Sequence, residues 1–268
     1  MSTNDKITRA LLAATAAAVL SLAAANSGVA GTIAALQDGK TIAWIDTDKK
    51  AVTGSTPLAG GATLVGIDVR PADGKLYGVT PDGAIVTVDP MTGKWEKKSQ
   101  LSEKLATGVT YVVDFNPVAD RLRLMASNGV NLRVNVDDGK ATVDGSLKYA
   151  ATDKMKDTAP RVLAGAYTNS YAGAKETGLY NLEGAAGALV KQAPPNDGTL
   201  NTIGAVAAKF DGSVAFDIWS DGKGGNAAWL LAGNSLYEVD LNNGNLKSVG
   251  AIKGLTGKTW DMAILPAM

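Results

Sequence analysis

The stretch Leu64–Trp95, LVGIDVRPADGKLYGVTPDGAIVTVDPMTGKW, constrains the fold more than any other part of the chain. Apolar runs of four to six residues (GIDV, KLYGV, AIVTVD) alternate with turn-forming tetrads (PADG, TPDG, PMTG). Each run can span one half-buried strand, and each Pro/Asp/Gly cluster can reverse the chain, so the segment reads as a four-stranded antiparallel meander. One small sheet of this kind cannot cover both of its faces. It needs neighbours of the same kind.

Those neighbours are written in the rest of the chain. Four strand-ending turn signals recur: Trp44-Ile45-Asp46, Val88-Asp89-Pro90-Met91-Thr92-Gly93, Val134-Asn135-Val136-Asp137-Asp138-Gly139 and Val239-Asp240-Leu241-Asn242-Asn243-Gly244. Asp46, Asp89 and Asn135 are 43 and 46 residues apart, a spacing that suits one four-stranded blade of roughly 40–50 residues. A fifth, degenerate unit lies between Arg161 and Ile203, with its turn at Ala193–Gly198 and a longer loop at Ser170–Thr177. Upstream of the turns stand apolar runs with an acid in a matched place: Gly66-Ile67-Asp68-Val69, Val112-Val113-Asp114-Phe115 and Ala215-Phe216-Asp217-Ile218. The first unit, Ile33–Leu58, lacks that opening run, which stands instead at the far end as Thr259-Trp260-Asp261-Met262-Ala263-Ile264. The fold expected is all-β, a five-bladed β-propeller in which the C-terminal strand completes the first blade and removes two open sheet edges. The blades are Ile33–Leu58 with Trp260–Leu265, then about 63–100, 109–148, 160–205 and 206–250.

Residues 1–30 read as a signal peptide ahead of a single propeller domain, 31–268. Lys6 and Arg9 form a basic start, Ala10–Ala25 an apolar core, and Gly28-Val29-Ala30 a small-residue cleavage site. That apolar core is short of the ~20 residues of a spanning helix. The expected location is periplasmic or extracellular, with no membrane attachment once the signal is removed.

Composition then excludes more than it suggests. The chain carries 26 basic and 26 acidic residues, so it lacks the basic field that nucleic acid binding needs. It has no Cys and no His, which removes thiol nucleophiles, Ser-His triads, disulfides and ordinary zinc sites.

Several motifs resemble one family: Gly66-Ile67-Asp68-Val69-Arg70-Pro71 with Lys75-Leu76-Tyr77-Gly78, Val113-Asp114-Phe115-Asn116-Pro117 running on to Asp120-Arg121-Leu122-Arg123-Leu124, Gly129-Val130-Asn131-Leu132-Arg133-Val134-Asn135, and Gln192-Ala193-Pro194-Pro195-Asn196-Asp197-Gly198. Together they resemble the family known as domain of unknown function 4394, over nearly all of residues 31–268. The resemblance implies a secreted, propeller-like domain and assigns no ligand or catalytic residue.

The candidate site is the set Asp68, Asp114, Asp217 and Asp261, expected at equivalent places on the innermost strands of four blades. The remaining blade offers Ala166-Tyr167-Thr168-Asn169 there, with Asn169 as its polar contribution. Two readings stand side by side. The carboxylates could ring the channel and bind a cation or sugar hydroxyls, or serve as acid and base. Alternatively each accepts backbone N–H groups and locks the framework, the role that repetition in every blade favours. No cofactor is expected; a ring that does bind an ion would take Ca²⁺. Arg121 and Arg123, spaced by two, share a strand face and with Arg133 could clamp a carboxylate or phosphate, although a solvated charged face is the commoner outcome. Trp219, Trp229 and Trp260 could stack on a sugar, but burial between blades is the expected role. The function expected is an exported, non-catalytic binding module that takes a protein, glycan or small ligand on one face. The alternative is a propeller-type hydrolase working through the channel carboxylates. An aromatic content of 6% is low for a glycosidase that stacks sugars.

Overall fold

A computed structural model describes residues 32–208, 210 and 213–265. The expected signal peptide lies outside the described residues. Blade 1 holds β1 (Ile33–Gln37), β2 (Thr41–Asp46) and β3 (Ala51–Pro57). Blade 2 holds β4 (Gly66–Val69), β5 (Leu76–Val79), β6 (Ala84–Val88) and β7 (Trp95–Gln100). Blade 3 holds β8 (Tyr111–Asn116), β9 (Arg121–Ala126), β10 (Asn131–Val134) and β11 (Ala141–Val143). A two-residue strand, β12 (Lys148–Tyr149), follows. Blade 4 holds β13 (Val162–Tyr167), β14 (Leu179–Glu183), β15 (Ala188–Gln192) and β16 (Thr199–Ala205). Blade 5 holds β17 (Val214–Ser220), β18 (Asn226–Ala232), β19 (Ser235–Val239) and β20 (Leu246–Ala251). The last strand, β21 (Thr259–Ile264), pairs antiparallel with β1, giving the order β21-β1-β2-β3 and closing the ring as expected.

The blades are meanders because their turns are chemically alike. Asp46, Asp89, Asn135 and Asp240 each accept, through Oδ1, the backbone N–H two residues on, at 3.1, 2.9, 3.1 and 2.9 Å. This side-chain turn mimics a backbone reversal and sets where the third strand ends. Gly93 and Gly139 close two of these turns at φ +68° and +76°. Each also lies against the backbone of the preceding blade's last strand or the residue ending it, Pro57 and Gln100, where a Cβ would collide. In one respect the structure departs from the expected boundaries. Blade 3 ends with β11 at Val143, and β12 crosses to pair in parallel with β16, making blade 4 five-stranded. The two residues of β12 are too short for a meander strand, and Tyr149 is buried among Val162, Leu179 and Leu200 of blade 4.

Alternation of period two sends successive side chains of every inner strand to the two neighbouring seams. On β8, Val113 and Phe115 enter the core between blades 2 and 3, while Val112 enters the core between blades 3 and 4. On β1, Ala34 and Leu36 face blade 2, and Ile33 and Ala35 face blade 5. Five apolar clusters therefore fill five seams. The strands read as nearly continuous apolar runs because both faces are covered.

Candidate functional site: the central channel

The inner strands β4, β8, β13, β17 and β21 pack side by side around the axis. The phase of their side chains decides what the acids do. Ile67 and Val69 face the preceding blade, so Asp68 between them points to the following one. Asp114, Asp217 and Asp261 occupy the same phase. Each reaches across its seam to a backbone N–H of the next inner strand: Asp68 Oδ2 accepts from Phe115 (2.7 Å), Asp114 Oδ1 from Tyr167 (2.9 Å), Asp217 Oδ2 from Ile264 (2.7 Å) and Asp261 Oδ2 from Ile67 (3.0 Å). Asp68, Asp217 and Asp261 also accept, on their other oxygen, the N–H of the residue after them, at 2.6, 2.6 and 3.0 Å. An inner strand has an unpaired edge toward the channel, and these carboxylates satisfy part of it. The four acids thus staple blade to blade.

The same geometry concentrates negative charge. Asp68, Asp114 and Asp217 each place one carboxylate oxygen within 4.8 Å of the others. All four acids are buried, and no lysine or arginine pairs with any of them among the described residues. Burial is the main force raising every one of them. The Asp68 carboxyl lies well above the usual range through burial and the Asp217 charge, and the Asp114 carboxyl through burial and the Asp68 charge. Asp217 is pushed up by burial to about 6, and Asp261 well above its ordinary value by burial. The backbone donors oppose these shifts without cancelling them.

The channel opens past the C-terminal ends of the inner strands into a cavity of about 250 Å³ lined by polar and apolar groups alike. Asp68 and Asp217 border it, with Tyr171, Trp219, Ser170 and Ser220 around them. Ser170–Ala172 belong to the long blade 4 loop noticed in the sequence. Nothing in the spacing of that loop announces that it leans over the channel, because its position depends on how blade 4 sits against blade 5.

Three expected site residues lie elsewhere. Asn169 is not the fourth blade's ring residue; by phase that place belongs to Ala166, which packs in the seam with blade 5. Asn169, at φ +56°, pairs instead with Asn226 of β18: its N–H donates to Asn226 Oδ1 (2.7 Å) and its Oδ1 accepts from Asn226 Nδ2 (2.9 Å). The pair crosses the seam between blades 4 and 5, where no channel aspartate stands among the described residues. Arg121 and Arg123 do not act together. Arg121 is exposed and donates to the carbonyls of Ala119 and Asp120. Arg123 is 1% exposed and donates to Asp144 (2.6 Å), Asn131 (2.9 Å), Asn196 (2.9 Å) and the Tyr167 hydroxyl (3.1 Å). Arg133 completes a bidentate grip on Asp144 at 2.7 and 2.8 Å. Arg123 and Arg133 do clamp a carboxylate, an internal one, while Arg121 takes the solvated position that is the commoner expectation. Burial works to raise Asp144, and hydrogen bonds from Arg133 and Arg123 outweigh it and hold the group below its ordinary value. A second bridge escaped notice: Arg70 binds both oxygens of Asp120, at 2.8 and 2.6 Å, tying blade 2 to blade 3. Of the tryptophans, Trp229 is buried as expected, Trp219 is half-buried at the polar mouth, and Trp260 is 40% exposed.

Comparison with known proteins agrees with this architecture. No curated protein matches the chain. Among solved structures, a Bacteroides thetaiotaomicron protein of unknown function aligns at 16% identity and a TM-score of 0.52, over 87% of this chain and 64% of that one. A Bacteroides caccae protein of unknown function aligns at 12% identity and 0.46, over 85% and 77%. An auxiliary nutrient binding protein from Bacteroides ovatus aligns at 19% and 0.41, over 75% and 51%. The first of these likenesses shows a shared fold; none carries a function. The motifs that build the blade seams, from Asp68 and Asp114 to Arg123 and Asn196, lie within residues 41–263, which match the family described as "Domain of unknown function (DUF4394)", and the chain belongs to that family.

Proposed function

We propose that the chain is an exported, non-catalytic binding module that takes a small organic cation at the polar mouth of its channel. One observation carries this reading: the cavity of about 250 Å³ brings two aromatic side chains, Tyr171 and Trp219, together with two buried carboxylates, Asp68 and Asp217, that have no cationic partner among the described residues. Aromatic faces and carboxylates are the two groups that recognise an ammonium ion, by attraction to the ring and by charge. The volume, just below the roughly 300–1,000 Å³ of typical ligand pockets, suits a ligand of a few heavy atoms. A bound cation would also relieve the mutual repulsion that raises these acids. The hydrolase alternative has less support, because both oxygens of Asp68 and of Asp217 already accept framework N–H groups. Direct coordination of Ca²⁺ would need about six or more oxygen ligands, more than two carboxylates already turned to the framework supply.

Calorimetric titration with 1,4-diaminobutane, and separately with Ca²⁺, tests the proposal. Saturable diamine binding at pH 7.5 is expected, weaker at pH 5 as the carboxylates protonate, and weakened roughly tenfold by Trp219→Ala. Ca²⁺ is expected to leave the protein unchanged. Absence of saturable diamine binding at either pH rejects the reading, and binding of Ca²⁺ alone replaces it with a metal site.

A further inference from the structure

The other mouth of the channel is more apolar. A cavity of about 300 Å³ opens before the N-terminal ends of the inner strands, and all five strands or their lead-in residues line it. Its wall is apolar: Val65, Val109, Tyr111, Leu163, Val214 and Trp260. Two of the polar side chains around it are already engaged. The Tyr111 hydroxyl donates to Ala106 O at 2.7 Å, so the residue offers its ring. The Thr259 hydroxyl accepts from Gln37 Nε2 at 2.6 Å.

Trp260 is the residue that the seams do not explain. Its neighbours on β21, Thr259 and Asp261, are buried, yet Trp260 is 40% exposed. It is not loose: the ring edge lies against Gly39, where an added Cβ would stand 2.7 Å from Cζ3. A large aromatic ring braced against a glycine turn, with its remaining surface lining an apolar hollow, costs hydration free energy unless something covers it. Lys258, at the rim of the same cavity, is exposed. Its Nζ makes no ion pair among the described residues. The acid on the adjoining turn, Asp38, instead accepts the Lys258 backbone N–H at 2.9 Å.

We propose that this mouth is a second ligand site, which takes a compact apolar molecule bearing one carboxylate: the apolar part fills the hollow against Trp260 and Leu163, and the carboxylate faces Lys258. The size fits the small end of ligand pockets, and one cation at the rim of an apolar wall selects a singly anionic amphiphile over a neutral or dianionic one. The site shares no residue with the polar mouth, so the two readings stand or fall separately.

Octanoate and octan-1-ol, titrated calorimetrically into the mature protein, separate the apolar and charged parts. Octanoate is expected to bind saturably and octan-1-ol more weakly. Lys258→Gln should weaken octanoate roughly two- to fivefold, the size of an exposed charge contact, and leave octan-1-ol unchanged. Trp260→Ala should weaken both roughly tenfold or more, through lost apolar contact. Lys258→Gln lies on the surface and keeps the test decisive if Trp260→Ala does not fold. Octanoate that fails to saturate overturns the proposal. So does Lys258→Gln that leaves octanoate binding intact, or a folded Trp260→Ala that binds as well as the parent.

Discussion

At the scale of the residue, the four channel acids differ in a way their common position hides. Asp68, Asp217 and Asp261 use both oxygens as acceptors of backbone N–H, whereas Asp114 accepts one, from Tyr167. An asparagine keeps one acceptor and turns the other into a donor. Asp114→Asn therefore retains its bond to Tyr167 and removes a buried ionisable carboxyl that burial and the Asp68 charge raise, and stability at pH 7.5 is expected to stay level or rise. Asp68→Asn opposes an amide NH₂ to a backbone N–H, and its expected cost is about 1–3 kcal/mol. Denaturant midpoints of the two variants, measured at unchanged slope, compare them directly. Equal destabilisation would mean that the acids serve as charges rather than as shaped acceptors.

At the scale of the element, β21 shows what one strand does for the ring. It lies beside β1 along its whole length and supplies Met262 and Ile264 to the seam with blade 5 and Ala263 to the seam with blade 2. Its Ile264 N–H donates to Asp217, and its Asp261 accepts from the Ile67 N–H. Removing Thr259 and all that follows would open both seams, expose the β1 edge and orphan one carboxylate. The truncated chain is expected to aggregate, or to lose its cooperative melt by circular dichroism. A melting temperature equal to that of the full chain would show that closure contributes little. Short β12 is the counterexample: it extends blade 4 at its outer edge, where a meander does not need it.

At the scale of the whole molecule, the acids impose an unusual dependence on pH. Groups raised in the folded state contribute stability that is full below the ordinary carboxylate value of 3.8 and is lost as pH rises through the folded value, about 6 for Asp217. Asp68, Asp114 and Asp261 are shifted in the same direction. Asp120 and Asp144, paired with Arg70 and with Arg123 and Arg133, are lowered and behave in reverse: their stability is present above 3.8 and is lost as pH falls through their folded values. The two sets leave an optimum at roughly pH 4–5. Melting temperature is expected to fall from there toward pH 8, and the fall should be shallower in Asp114→Asn. A melting temperature that rises between pH 5 and 8 would contradict the buried ring.

What could be read from the chain alone was everything that depends on near neighbours. The Asx turns at Asp46, Asp89, Asn135 and Asp240, the period-two runs between them and the displaced strand at Thr259–Ile264 are local chemistry, so blade number and ring closure follow from them. The matched acids Asp68, Asp114, Asp217 and Asp261 were legible for the same reason, since a repeat puts equal residues in equal places. Tertiary packing alone decided what those residues do. Whether an aspartate faces the preceding or the following blade, and which N–H it meets, is set by the phase and stagger of two sheets remote in sequence. The same stagger carried Arg123 into a buried seam, turned Asn169 outward to Asn226 and left Trp260 at an open mouth. Local pattern specifies a strand and its turns, but only the meeting of five sheets specifies the channel between them.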